Sequence, residues 1–117
     1  MTLKNSDVYI LPEISFIGGT DKVLTFTTYT EDNITLLTLY GIEIEWILTY
    51  YEYKEQVVLR KTGVPININN FTVTLNYDDT ISLSGKFIQQ PIITDFTGNI
   101  FRPAQGTVLI LPAFPSV

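Results

Sequence analysis

The chain has 117 residues, 45% of them hydrophobic and 16% charged, with a net charge of −5; this is enough apolar material for one ordinary folded domain spanning 1–117, and too little charge for a disordered one. It contains neither histidine nor cysteine, which excludes disulfides, thiolate or imidazole metal centres, cysteine nucleophiles and every triad built on a histidine base. Its seven basic residues are scattered, only Arg60 and Lys61 being adjacent, so neither nucleic acid nor a membrane surface is an expected partner.

In chain order, the first segment, 1–12, carries the apolar run VYILP but no long hydrophobic region of signal-peptide type. It is expected to dock on the domain or on a neighbouring subunit, with Tyr9 as a contact. KVLTFTTYT (22–30) alternates apolar and polar residues, with Leu24, Phe26 and Thr28 on one face, and reads as a strand. EDN (31–33) is a turn signal and ITLLTL (34–39) a short apolar run. IEIEWILTYYEY (42–53) alternates again: Ile42, Ile44, Trp46 and Leu48 face one way and Glu43 and Glu45 the other. A helix over the same residues would have no continuous apolar face.

KEQ (54–56) makes a hairpin-like connection to VVLRKT (57–62). GVPININN (63–70) is loop or edge strand because of its glycine, proline and asparagines. FTVTL (71–75) is a clean strand with Phe71, Val73 and Leu75 inward. KFIQQPIIT (86–94) turns Phe87, Pro91 and Ile93 inward with Gln89 between them, and Pro91 points to an edge or a bulge. DFTGN (95–99) is a turn, GTVLILP (106–112) a last strand, and 112–117 a second apolar tail, expected to dock on the domain or on a neighbouring subunit with Phe114 as a contact. No stretch supports a long helix, no repeat is visible, and no run of about 18 apolar residues could span a membrane. About seven or eight short strands separated by regular turn signals predict an all-β, immunoglobulin-like β-sandwich.

Four features invite a functional reading. Asp78 and Asp79, in NYDDTISLSGKF, are adjacent carboxylates that could hold Ca²⁺, but only Asn76 and Asp78 have the alternate spacing such a loop needs. The competing reading is a strand-to-strand corner, in which Asp79 or Thr80 bonds nearby backbone N–H groups and Gly85 takes a positive φ. Trp46 could stack on a sugar, yet it shares a face with Ile44 and Leu48 and is better placed in a core with Leu48, Phe71, Val73, Leu75 and Phe87. Tyr51 and Tyr53, near a turn, suit either a protein interface or a sugar platform. Glu43 and Glu45 are neighbours on one strand face, fit to meet Arg60 across the sheet, and lack the facing wall of a glycosidase pair. Glycosylation triplets at Asn33 and Asn70 carry no secretory signal with them. No catalytic residue, metal or cofactor is expected.

Taken in order, Trp46-x-Leu48, VVLRKT, FTVTL, DDT, SLSGKF, TDFTGN and GTVLILP resemble short proteins of bacteriophages and prophages: the N-terminal domains of baseplate upper proteins and related tail- or fibre-associated immunoglobulin-like modules. The resemblance covers about residues 42–112. It is carried by Trp46, Leu48, Leu59, Lys61, Thr62, Phe71, Val73, Leu75, Asp79, Thr80, Leu83, Gly85, Asp95, Gly98, Gly106 and Pro112. Phe87 stands where that pattern usually has tyrosine. The resemblance implies a structural virion protein of a tailed phage, made in the host cytoplasm. It would dock on other virion proteins and on copies of itself through sheet edges, apolar termini and tyrosines. A carbohydrate-binding module contacting a host glycan is the alternative, and an enzyme is not expected.

Overall fold

Alternating sequence becomes two facing sheets. The computed structural model describes residues 2–4, 9–29, 42–95 and 97–114, with the backbone alone at 2–4, 9, 29 and 101. Its elements are β1 (Thr2–Lys4), β2 (Tyr9–Ile17), β3 (Lys22–Tyr29), β4 (Glu43–Tyr50), β5 (Val57–Thr62), β6 (Val64–Pro65), β7 (Asn70–Leu75), the helical turn α1 (Tyr77–Thr80), β8 (Gly85–Thr94), β9 (Ile100–Phe101) and β10 (Ala104–Leu111). One sheet has the order β1-β3-β7-β6. The other has the order β2-β10-β8-β4-β5, with β9 pairing on β8. The protein is an all-β, immunoglobulin-like sandwich.

The core is where the inward faces meet. Leu24 and Phe26 of β3 and Phe71, Val73 and Leu75 of β7 come from one sheet; Ile44, Trp46 and Leu48 of β4, Phe87 and Ile93 of β8, and Val108 and Ile110 of β10 come from the other, all buried. Each large apolar side chain so buried contributes roughly 1.5–3 kcal/mol. Phe26 and Phe71 are directly paired across β3 and β7, and their rings stack at 4.8 Å with 12° between planes.

The N-terminal segment is part of the fold rather than a tail. β1 pairs parallel with β3 and β2 pairs parallel with β10, so the chain gives one strand to each sheet. β2 hides from a pattern search because its register slips between Gly106 and Val108 of β10. The core-facing residues Leu11 and Ile14 are therefore three positions apart, not two. At the other terminus Phe114 is 86% exposed and is not packed against the described residues. The expected turn at 31–33 and apolar run at 34–39 lie outside the described residues.

Pro91 sits inside β8, paired with Trp46 of β4 on one side. On the other side β10 stops at Gln89 and β9 begins at Ile93, so Pro91 occupies a short local edge where its missing N–H costs no ladder bond. The expected asparagine-rich loop or edge is β6 and the turn after it, where Asn67 Oδ1 accepts the N–H groups of Asn69 and Asn70.

Candidate functional site

The paired carboxylates serve the backbone. The stretch after β7 forms α1, and Asp79 Oδ2 accepts the N–H of Asn76 at 2.8 Å and the ammonium of Lys61, from β5, at 3.0 Å. Thr80, fully buried, accepts the Gly19 N–H at 2.9 Å. Asp21 accepts the Tyr77 N–H at 2.9 Å. A Cβ on Gly18 would lie 2.6 Å from the Thr80 carbonyl oxygen, so the β2–β3 turn packs on this corner through bare backbone. Gly85 starts β8 at φ +113°. Burial pushes the Asp79 carboxyl up, but the Asn76 N–H and the Lys61 ammonium together hold it below its ordinary value. Asp78 is exposed. The geometry ties one sheet to the other and leaves Asp79 no free oxygen pair to offer a ligand.

Trp46 is 1% exposed, and its Nε1–H donates to Gln89 Oε1 at 3.0 Å inside the core. In immunoglobulin-type sandwiches a tyrosine stands two residues before the second cysteine, and a buried tryptophan packs on the disulfide. Here Gln89, two residues past Phe87 on the inward face of β8, bonds the buried tryptophan by its side-chain amide, in a chain that has no cysteine. Gln89 Nε2 is buried without a partner. Sequence reasoning placed Gln89 on the inward face without seeing its role; the signal was its position two residues past Phe87. Asn70 begins β7 half-buried with its Oδ1 unpartnered, and Asn33 lies outside the described residues.

Two surface features sit at opposite ends of β4. At its C-terminal end, Tyr50, Tyr51, Glu52, Tyr53 and Lys86 line a concavity of about 400 Å³. Tyr51 and Tyr53 are 42% and 56% exposed. Their backbone is pinned: Tyr51 N–H donates to the Lys86 carbonyl (3.3 Å), Tyr50 N–H to Gln56 (3.3 Å), and Gln56 N–H to Tyr53 (2.9 Å). The Lys86 ammonium lies 4.5 Å over the Tyr51 ring, and Tyr50 stacks on Phe87 at 5.9 Å. Tyr9 has its backbone in β2, and its side chain lies outside the described residues.

At the N-terminal end of β4 is a groove of about 680 Å³ that includes Ile42, Glu43, Glu45, Arg60, Ile100 and Arg102. Glu45 and Arg60 form an ion pair at 2.8 Å, as the expectation of a cross-sheet partner for Glu45 required, although Arg60 is paired with Ile47 and reaches Glu45 diagonally. Arg102 donates to the neutral Gln90 Oε1 at 2.8 Å. The groove was not seen in the sequence, because its walls come from four separate stretches of chain.

Among the described residues, the outermost strands of both sheets are blunted. β1 and β6 are three and two residues long, and β6 contains Pro65. β2 carries Pro12 and the bulge. β5 carries a bulge opposite Leu48 and Thr49, and Lys61 stands opposite Trp46, on the inward face. Short length, proline, bulges and inward charge are the devices that discourage strand addition.

No family model matches the sequence, and no curated protein matches it. Among solved structures, the chain is similar to the N-terminal domain of phage TP901-1 ORF48, with a TM-score of 0.61 and 8% identity over 94% of each chain. It is also similar to the fibronectin(III)-like modules of Clostridium thermocellum CbhA, with a TM-score of 0.51 and 11% identity over 95% of this chain and 98% of the other. At these identities the likeness is one of fold: the described residues take the shape of a small immunoglobulin- or fibronectin-type sandwich.

Proposed function

We propose that this chain is a structural docking module of a tailed-bacteriophage virion, working by contact with other virion proteins and with copies of itself and catalysing no reaction. The observation that carries the reading is the tyrosine turn. Three exposed tyrosines within four residues sit on a backbone held by three hydrogen bonds, giving large, rigid, amphipathic contact area at low entropic cost. The similarity in fold to a phage protein's N-terminal domain, over nearly all of both chains, supports the phage setting. Because the edges are blunted, docking falls on side-chain surfaces and not on strand addition.

The host-glycan reading is weaker on the same geometry. Trp46 is buried, Tyr50 stacks on Phe87, and one face of Tyr51 is covered by Lys86, which leaves Tyr53 as the open ring of the cluster. The test is incorporation into particles. Peptide mass spectrometry of gradient-purified virions is expected to find the chain. The double variant Tyr51→Ala/Tyr53→Ala is expected to be lost from particles while its thermal melt stays that of wild type. Absence of the wild-type chain from particles, or unchanged incorporation of the variant, would count against the reading; glycan-array binding lost in the same variant would favour the alternative.

A further inference from the structure

We propose that copies of this chain associate head to tail, with the β4–β5 turn of one copy seated in the groove at the far end of β4 in the next. The proposal rests on the docking reading above and names one of the partners it requires. The two surfaces lie at the two ends of one eight-residue strand, roughly 25 Å apart at about 3.4 Å per residue, so they cannot meet within one molecule. They differ in kind, which makes the contact heterologous and able to repeat as a ring or a filament.

Their chemistry is complementary. The turn presents the Tyr51 and Tyr53 rings with the Glu52 carboxylate between them, and Glu52 has no partner among the described residues. The groove presents Ile100, 64% exposed, beside the guanidinium of Arg102, whose one hydrogen-bond partner among the described residues is the neutral Gln90. Glu45 in the groove is already neutralised by Arg60. Among the described residues, Glu43 beside it has no cation and Lys54 at the tip of the turn has no anion. Seating the turn brings Glu52 to Arg102 and Lys54 to Glu43, while the tyrosine rings cover the isoleucine wall. Each copy uses its turn on one neighbour and its groove on another.

The experiment is sedimentation velocity on the purified full chain across a wide concentration range, at low and at high salt. Wild type is expected to form species larger than a dimer as concentration rises, and fewer of them in high salt. Glu52→Arg and Arg102→Glu, both at exposed positions, are each expected to weaken association roughly tenfold or more, since each sets like charges against one another. An equimolar mixture of the two variants is expected to associate again. Unchanged thermal melts show that both still fold; if either melts early, Glu52→Gln and Arg102→Gln replace them. A wild-type chain that stays monomeric, a closed dimer that grows no further, or indifference to both charge reversals overturns head-to-tail association. If the chain stays monomeric while particle incorporation still depends on Tyr51 and Tyr53, self-association falls and the docking reading stands.

Discussion

The buried pair Trp46 and Gln89 offers a sharp test of how this core is held without a disulfide. In Trp46→Phe the indole donor disappears and Gln89 Oε1, fully buried, loses its bond of 3.0 Å. An orphaned buried polar group costs about 1–3 kcal/mol, and the smaller ring adds a packing defect of about 1 kcal/mol. The single variant is therefore expected to lose about 2–4 kcal/mol, a large part of a small domain's stability. Adding Gln89→Leu removes the stranded oxygen together with Nε2, which has no partner even in the wild type. The double variant should then be about 1–3 kcal/mol more stable than Trp46→Phe alone. Gln89→Leu by itself should be close to neutral, because the loss from stranding the indole N–H is offset by removing the unpaired amide. Urea unfolding of the four proteins, with equal m-values, gives the coupling directly. If the double variant is no more stable than Trp46→Phe, the amide is not the stressed element, and the account of this core as a tryptophan–glutamine pair fails.

Two further predictions concern the corner. Asp79→Ala should cost about 1–2 kcal/mol at neutral pH. Because the Asp79 carboxyl sits below its ordinary value of 3.8 when folded, its contribution is fully present above that value and is lost as pH falls through the lower folded value. Asp79→Asn should accordingly flatten the acid limb of a stability–pH curve. It should not abolish that limb, since the Thr97 hydroxyl and the backbone N–H groups of Thr97 and Asn99 also hold Asp95 low; an unchanged limb in urea melts at several pH values would remove Asp79 from the account. Thr80→Val keeps the buried shape but strands the Gly19 N–H, so a loss of about 1–3 kcal/mol is expected and a melt equal to wild type would show that water replaces the bond.

How far the sequence could be read depended on whether period-two alternation survived in each strand. It survives in β4, β7 and β8, so their faces were legible from Ile44, Trp46 and Leu48, from Phe71, Val73 and Leu75, and from Phe87 and Ile93. It fails at the bulges. In β2 the slip opposite β10 separates Leu11 from Ile14 and hid a nine-residue strand behind what reads as a greasy tail. In β5 the bulge lets Val58 and Leu59, adjacent in sequence, both pack on the core, which no alternating pattern predicts. Local chemistry was legible where one residue type has one use: Gly85 for a positive φ and Asp79 for capping a turn, whereas Thr80, expected to bond a nearby N–H, accepts that of the distant Gly19 instead. Partners distant in sequence were not legible. The Lys61–Asp79 bridge, the Thr80–Gly19 bond and the Arg102 wall of the groove exist because the sandwich closes.

That closure links the corner to the surface proposed to dock. Gly85 opens β8, and the next residue, Lys86, holds the tyrosine turn twice: its carbonyl accepts the Tyr51 N–H at 3.3 Å and its ammonium covers the Tyr51 ring at 4.5 Å. At Gly85 a Cβ would meet nothing within 4 Å, so Gly85→Ala meets no clash and is opposed by backbone conformation alone, φ being +113°. Such a substitution costs about 1 kcal/mol or more. Relief of the strain has to come from rotating the backbone at residue 85, which moves the Lys86 carbonyl away from Tyr51. Gly85→Ala is therefore expected to speed amide hydrogen exchange at Tyr51 more than at Trp46, in the middle of β4, and to weaken association although no tyrosine is altered. Equal acceleration at both amides would mean that the strain lowers global stability only, and that the corner sets the fold without setting the position of the tyrosine turn.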